Sequence, residues 1–234
     1  MYKRVLLKLS GEQLSGAFDN GFDTKTANYL AQEIKKIPKN CQLVLVVGGG
    51  NMVRGAKIAN NGIHRVTGDQ MGMLSGLINS MALTDIFETE GIPTRCLSNI
   101  FADQVAESYS YRRAIKHLES GRVTIVAGGI GRPYFTHDTA AVNLALELEC
   151  EAVFKATKVA GVFDKDPSKH KDATMLTTLS YQQAVEDGAI KVMDKAAMGL
   201  AMEHSMPLIV FDAMKAGNIE LAVKGETVGT TIKS

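Results

Sequence analysis

The sequence has 234 residues, of which 45% are hydrophobic and 22% are charged, and its formal net charge is +1 at pH 7. This balance argues against a nucleic-acid-binding surface or an acidic tail, since each needs an excess of one charge. No apolar run reaches the roughly 18 residues that a membrane span requires. The cysteines, Cys41, Cys96 and Cys150, form no CxxC motif, which favours a reducing cytoplasm over a disulfide framework. We therefore expect a cytoplasmic protein that binds neither nucleic acid nor a membrane.

Strand-like apolar runs alternate with helical patterns along the first part of the chain. The predicted elements are strands at 5–9, 42–47, 93–97 and 122–127, interleaved with helices at 24–37, 69–90, 111–120 and 139–149. Asp23 or Thr24 is expected to cap the first of these helices, and Asp138 is expected to cap the last.

The alternation continues to the end of the chain. It predicts strands at 151–156, 207–211 and near 228–232, and helices at 181–187, 195–205 and near 217–223. Ser180 and Gln183 form a capping box, and Asp194 is expected to cap the next helix. The pattern predicts one α/β domain over residues 1–234, whose mostly parallel central sheet is covered by helices on both faces. We expect an N-terminal lobe up to about residue 150 and a C-terminal lobe beyond it.

A loop of three glycines follows the wholly apolar run at residues 43–47. Gly48, Gly49 and Gly50 allow backbone N–H groups to approach an anion, and Arg54 adds a bidentate positive charge nearby. The loop lacks the GxGxxG pattern of dinucleotide-binding folds and the GxxxxGK[ST] pattern of P-loops. It therefore predicts phosphate binding of another kind.

Lys8 lies in an otherwise apolar strand and is followed by Leu9, Ser10 and Gly11. A lysine in this position is costly unless an anion meets it, because its charge loses hydration. The plainer alternative is an edge-strand lysine that reaches solvent.

Two later segments carry groups suited to a nucleoside. Asp69 begins the long predicted helix, either as a simple N-cap or as an acceptor for sugar hydroxyls. Residues 128–138 combine three glycines, an arginine, two aromatic residues and a helix-capping aspartate, which suits a loop that stacks a base and holds a phosphate.

Residues 155–167 run from a strand into a turn that contains Phe163 and Asp166. Phe163 could flank an adenine and Asp166 could bond a ribose. The alternative is a surface loop rich in Asp, Lys and Pro.

These segments together resemble the amino-acid kinase superfamily, and within it the bacterial kinases that phosphorylate UMP. The motifs KLSGE, GGGNxxRG, RxxGDxMGML, PxFTxD, KATKVxGVF and KVMD occur in order along nearly the whole chain. The resemblance implies a three-layer αβα fold with an acceptor lobe and an ATP lobe. It also implies transfer of the ATP γ-phosphoryl group to UMP, giving UDP and ADP in pyrimidine nucleotide biosynthesis.

The resemblance assigns roles to individual residues. It places ATP phosphates against Lys8, Leu9, Ser10, Gly11, Gly50 and Arg54, and the adenosine against Thr157, Phe163 and Asp166. It places UMP against Gly49, Asp69, Ile130, Gly131, Arg132, Pro133, Tyr134, Phe135, Thr136 and His137. The implied catalytic set is Lys8, Arg54, Asp138 and Asp194. We expect Asp138 to orient Lys8 or the metal shell, with Mg²⁺ held mostly by ATP and water rather than by a protein cage.

Three positions depart from the pattern of these relatives. Ile130 and His137 replace residues that hydrogen-bond, although His137 could still form one bond to a uracil carbonyl or N3. Ala160 stands where an acidic residue is usual.

The resemblance further implies a homohexamer with UTP as feedback inhibitor, and residues 16–21 correspond to a segment tied to GTP activation in some relatives. Two alternatives stay open from the residues alone. One is a kinase of the same superfamily that acts on a carboxylate or carbamate, and the other is a non-catalytic nucleotide sensor.

Overall fold

The computed structural model describes residues 1–16, 18, 20–54, 62–186 and 192–234. Within them, nine strands form one sheet in the order β4-β3-β5-β2-β1-β6-β10-β11-β9. Every neighbouring pair is parallel except β10 with β11. Two short strands, β7 and β8, form a separate antiparallel ribbon. The strands are β1 Arg4–Leu9, β2 Gln42–Val47, β3 Thr94–Ser98, β4 Glu107–Ser108, β5 Val123–Ala127, β6 Ala152–Thr157, β7 Val162–Phe163, β8 Met175–Leu176, β9 Thr178–Ser180, β10 Leu208–Asp212 and β11 Thr230–Lys233.

Helices cover both faces of this sheet. They are α1 Gly11–Leu14, α2 Thr24–Lys35, α3 Arg65–Thr89, α4 Tyr111–Glu119, α5 His137–Glu147, α6 Tyr181–Glu186, α7 Lys195–Glu203 and α8 Asn218–Lys224. In β1, Val5 and Leu7 pack in the core under α2, α3 and α8, whereas Leu6 packs in the core under α4, α5 and α7. Side chains alternate along a strand, so Lys8 lies on the same face as Leu6, toward α5. The predicted three-layer αβα architecture is confirmed.

Most predicted elements are confirmed to within a few residues, and Asp23, Asp194 and the Ser180–Gln183 box cap their helices as predicted. The predicted end of one helix at residue 187 lies outside the described residues.

Two predicted helix starts were wrong. The long helix α3 begins at Arg65 with His64 in the capping position, so Asp69 lies one turn inside it and is not its cap. Helix α5 begins at His137, and Thr136 caps it by accepting hydrogen bonds from the backbone N–H groups of Asp138 and Thr139.

The predicted lobe boundary near residue 150 does not interrupt the sheet, because β1 pairs directly with β2 on one side and β6 on the other. The division into lobes stays a prediction. In the described part of the chain, no helix is both long and apolar enough to cross a membrane.

Candidate active site

Two cavities open near the carboxyl ends of the central strands. The glycine-loop cavity, of about 430 Å³, is bordered by the turns after β1, β2 and β5 and by the first turns of α3. The Phe163 cavity, of about 770 Å³, lies beside the ends of β6 and β10. In parallel α/β sheets, ligands bind beyond this edge. Most of the predicted phosphate and UMP residues border the first cavity, and the predicted adenosine residues Thr157, Phe163 and Asp166 border the second.

A cluster of two lysines and one aspartate lies where the two cavities meet. Lys8 Nζ is 2.7 Å from Asp138 Oδ1, and Lys155 Nζ is 2.6 Å from Asp138 Oδ2. The two lysines are neighbours because β1 and β6 pair in parallel with Lys8 opposite Lys155. Asp138 borders the glycine-loop cavity and Lys155 borders the Phe163 cavity, so this lysine–aspartate cluster joins the two spaces.

The charges in this cluster depend on one another. Burial would raise the pKa of the Asp138 carboxyl, but the ammonium groups of Lys8 and Lys155 outweigh it and hold that pKa below its usual value. Burial lowers the pKa of Lys155, and Asp138 opposes this effect. The backbone carbonyl of Val192 accepts a further hydrogen bond from Lys155. Because the side chains of Lys8, Asp138 and Lys155 are 12–16% exposed, an anion from either cavity can still reach the lysines.

The glycine loop, residues 48–50, packs against its neighbours most closely at Gly49. A Cβ on Gly49 would lie 2.5 Å from Ser75 Cβ on α3, so glycine here allows the loop to rest on the helix. A Cβ on Gly11 would lie 2.5 Å from the carbonyl of Gly48, which explains the glycine at the start of α1. The glycines therefore bring two strand-ending turns together at one rim of the cavity.

Arg54 borders the same cavity and forms an ion pair with Glu12. Its side chain is half exposed, so a phosphate could compete with the carboxylate for the guanidinium. The predicted ATP residues Ser10 and Gly50 also border the cavity, but Leu9 does not: its side chain is 1% exposed and packs in the core under α2 and α3.

Asp69 is held in place on the opposite rim. Arg65 Nε donates to both of its carboxylate oxygens, at 2.9 and 2.8 Å, and the backbone N–H of Tyr134 donates to Oδ2 at 2.8 Å. Tyr134 adopts a φ of +70°, and the Arg65 guanidinium lies 5.3 Å from the centre of the Tyr134 ring. The carboxylate is therefore fixed at the edge of the cavity.

The loop after β5 contributes unevenly to the cavity. Ile130, Arg132, Phe135, Thr136 and His137 border it, whereas Gly131, Pro133 and Tyr134 lie in the same loop outside its lining.

The His137 ring is turned toward α3. Its Nε2 is buried and has no hydrogen-bond partner among the described residues, and a Cβ on Gly76 would lie 3.0 Å from it. Burial, together with the positive charge of Lys8, lowers the pKa of His137 to about 4, so the ring is neutral near pH 7. Nε2 therefore faces α3, and a bond from His137 to uracil stays a prediction.

Asp194 joins α7 to α5. Its Oδ1 accepts hydrogen bonds from the backbone N–H groups of Ala196 and Ala197 at the start of α7. The hydroxyl groups of Thr136 and Thr139, at the start of α5, also donate to its carboxylate. Both oxygens therefore accept hydrogen bonds from protein donors, and the Asp194 side chain links the start of α7 to the start of α5, the helix that carries Asp138.

In the Phe163 cavity, Thr157 and Asp166 are engaged with their own neighbours. Thr157 Oγ1 donates to the carbonyl of Val159 at 2.6 Å. Asp166 Oδ1 accepts from the backbone N–H and the hydroxyl of Ser168, at 2.9 and 2.7 Å. These bonds shape the turn that carries Phe163.

Sequence reasoning gave Lys155 no role, although the signal was present: a charged residue inside the apolar run at 151–156. The described residues contain no group of three or more His, Cys, Asp or Glu side chains that could hold a metal ion.

Comparison with known proteins places the chain among phosphotransferases. The sequence profile of the amino acid kinase family matches residues 3–212. A uridylate kinase from Dichelobacter nodosus (strain VCS1703A) is 48% identical over 232 residues, which cover 99% of this chain and 96% of the relative.

Solved structures agree with this placement. The UMP kinase from Bacillus anthracis is 37% identical, with a TM-score of 0.94, over 99% of this chain and 96% of its own. The UMP kinase from Ureaplasma parvum is 30% identical, with a TM-score of 0.93, over the full length of both chains. The chain therefore belongs to the amino acid kinase family, in the group that contains the uridylate kinases.

Proposed function

We propose that the protein transfers the γ-phosphoryl group of ATP to UMP, giving UDP and ADP. The observation that carries this proposal is the lysine–aspartate cluster at the junction of two cavities of nucleotide size. The names of the relatives supply the substrates: they are uridylate and UMP kinases that align over nearly the whole chain.

The glycine-loop cavity is assigned to UMP. Asp69, already oriented by Arg65 and Tyr134, is placed to accept hydrogen bonds from ribose hydroxyls. The glycine loop and Arg54 would hold phosphate oxygens through backbone N–H groups and a guanidinium.

The Phe163 cavity is assigned to the adenosine of ATP, with Phe163 against the base and Asp166 near the ribose. The phosphates of ATP would then extend toward Lys155 and Lys8. This assignment keeps both lysines within reach of the transferring group.

Charge is the main obstacle to the reaction. Both reactants are polyanions, and two unit charges about 4 Å apart repel by about 4 kcal/mol at an effective dielectric constant near 20. The two lysines of the cluster, Arg54 and the loop N–H groups offset this repulsion where it is strongest. No general base is needed, because the UMP phosphate, with a second pKa near 6, is already an anion at neutral pH.

Asp138 is proposed to hold the two lysines together at a fixed spacing, since each carboxylate oxygen pairs with one ammonium group. Without it, two ammonium groups on neighbouring strands would repel each other and turn away. Asp194 is proposed to act indirectly: it accepts hydrogen bonds at the start of α5 and so fixes the helix on which Asp138 lies.

The residues present fit Mg²⁺ as an ion carried by ATP, since both oxygens of Asp138 already face lysines and those of Asp194 accept protein hydrogen bonds. When bound with ATP, Mg²⁺ would reduce the negative charge of the phosphates.

Assembly and regulation stay proposals. Self-association, as in the proposed homohexamer, is supported by apolar side chains exposed on α3 and in the loop after β3, namely Leu74, Ile78, Met81 and Phe101. The number of subunits stays a prediction from the resemblance. Inhibition by UTP, activation by GTP, a role in pyrimidine nucleotide biosynthesis and a cytoplasmic location stay predictions from the sequence.

A coupled assay of ADP release tests the proposed function. The protein is offered ATP and Mg²⁺ with UMP, CMP, acetylglutamate or aspartate in turn, and ³¹P NMR identifies the product. The proposal predicts ADP release with UMP and the appearance of UDP. Faster release with either amino acid would favour a carboxylate kinase, and nucleotide binding by calorimetry without ADP release would favour a sensor.

A further inference from the structure

Two buried asparagines form a closed hydrogen-bonded pair behind the glycine loop. Asn79, in the middle of α3, is fully buried, and Asn51, just after the loop, is 2% exposed. Asn51 Nδ2 donates to Asn79 Oδ1 at 3.0 Å, and Asn79 Nδ2 donates to Asn51 Oδ1 at 2.7 Å. Asparagine is a poor helix former and its amide is costly to bury without partners. Its place in the interior of α3 therefore points to a specific function.

The second N–H of each amide ties a different backbone segment to the pair. Asn79 Nδ2 also donates to the carbonyl of Gly48 at 2.8 Å. Asn51 Nδ2 donates to the carbonyl of Gly21 at 2.7 Å, and the Gly21 N–H returns a bond to the Asn51 carbonyl at 3.0 Å. All four amide N–H donors of the pair are therefore used, and the glycine loop is fixed between α3 and the segment at residue 21.

The pair also contacts the turn after β1. A Cβ on Gly11 would lie 2.5 Å from Asn51 Oδ1, so the backbone three residues beyond Lys8 packs directly on this amide. Two of the turns that border the glycine-loop cavity, at residues 10–12 and 48–50, therefore both contact this uncharged amide pair. An amide pair adds no net charge beside a site for anions, whereas a buried Asp or Lys would.

We propose that Asn51 and Asn79 act as one positioning unit, which sets the distance between the glycine loop and Lys8 for phosphoryl transfer. This inference rests on the proposed function. The pair touches no substrate; it holds the backbone N–H groups that do. A displacement of about 1 Å in such groups lowers turnover by up to about 10²-fold.

The test is a double-mutant cycle of Asn51→Ala and Asn79→Ala, assayed for ADP release with UMP below the melting temperature of every variant. Each single variant is expected to lower kcat by about tenfold or more. The KM for ATP should change less than threefold, because the Phe163 cavity is untouched. The kcat of the double variant should be no lower than that of the slower single variant, because either substitution alone already breaks the hydrogen-bonded pair.

Ser80→Ala is the matched control. Ser80 is equally buried in the next position of α3, but among the described residues its hydroxyl donates only to the carbonyl of Gly76, within the helix. It should lose stability and keep kcat within twofold. Should either alanine variant fail to fold, Asn51→Ser and Asn79→Ser replace the pair. Single variants that retain wild-type kcat, or losses that multiply in the double variant, would overturn the proposal.

Hydrogen exchange separates this inference from the proposed function. Amide exchange in a peptide spanning residues 43–53 should accelerate in both asparagine variants and stay unchanged in Ser80→Ala. If wild-type protein released no ADP with UMP, the proposed function would fail, and the exchange result would still decide whether the pair fixes the loop.

Discussion

Replacement of Lys155 by methionine tests the most informative part of the site. Methionine keeps most of the side-chain length and removes the charge that lies 2.6 Å from Asp138 Oδ2. Lys8 continues to pair with Asp138, so the loss of stability should stay below the roughly 3–5 kcal/mol cost of a buried charge left without any partner. The variant should therefore fold and remain open to kinetic study.

The expected effect is on turnover. Loss of one preorganised donor to the transferring group lowers kcat by about 10²–10³-fold, which corresponds to about 2.7–4 kcal/mol. The KM for UMP should change little, because Lys155 borders the Phe163 cavity and not the glycine-loop cavity. Steady-state ADP release at varied UMP and at saturating ATP gives both constants.

Lys224→Met is the matched control, since Lys224 forms an ion pair of the same 2.6 Å length with Glu220 on the surface of α8. Surface pairs of this kind contribute about 0.3–0.5 kcal/mol, and kcat should stay at the wild-type value. A Lys155→Met enzyme with wild-type kcat would refute the role given to the cluster. A rise in the KM for UMP with kcat unchanged would refute the assignment of the two cavities.

Three further variants test separate parts of the structure. Asp69→Ala should raise the KM for UMP about tenfold or more with a smaller change in kcat, because ribose bonds form equally in the ground and transition states; an unchanged KM in the ADP assay would contradict this. The pKa of His137 is about 4 in the folded protein and ordinarily 6.5, so the unfolded chain binds more protons between these values. The free energy of unfolding should therefore fall by up to about 3 kcal/mol as the pH drops from about 6.5 to 4. Urea unfolding measures this loss, which should be absent in His137→Gln and present in the control His204→Gln, whose side chain is exposed. Gly49→Ala should lower the melting temperature and destabilise the fold by about 1–3 kcal/mol, because its Cβ would lie 2.5 Å from a side chain of α3. Gly50→Ala, whose nearest contact would be 3.6 Å away, should destabilise the fold less. Equal losses of stability in the two variants would contradict the role given to packing at Gly49.

The sequence predicted the sheet and the position of the glycine loop because their signals are local. Apolar runs followed by glycines define strands and strand-ending turns without knowledge of their neighbours. The role proposed for Lys8 followed from the same kind of signal, an isolated charge in an apolar strand.

A charge in an apolar run also marks Lys155, but its pairing with Lys8 could not be predicted from the sequence, because it depends on which strands are adjacent. Only the order β2-β1-β6 places Lys155 opposite Lys8, and the two residues come from distant parts of the chain. Asp138 illustrates a second limit. It was predicted as a helix cap, but two ammonium groups draw its carboxylate away, and the Thr136 hydroxyl caps the helix instead.

The central claim is that phosphoryl transfer takes place at the lysine–aspartate cluster between the two cavities. A crystal structure with UMP and a non-hydrolysable ATP analogue tests it most directly. We predict the terminal phosphate of the analogue within about 3 Å of Lys8 Nζ or Lys155 Nζ, facing a UMP phosphate in the glycine-loop cavity. Phosphates that lie away from both lysines would contradict the claim.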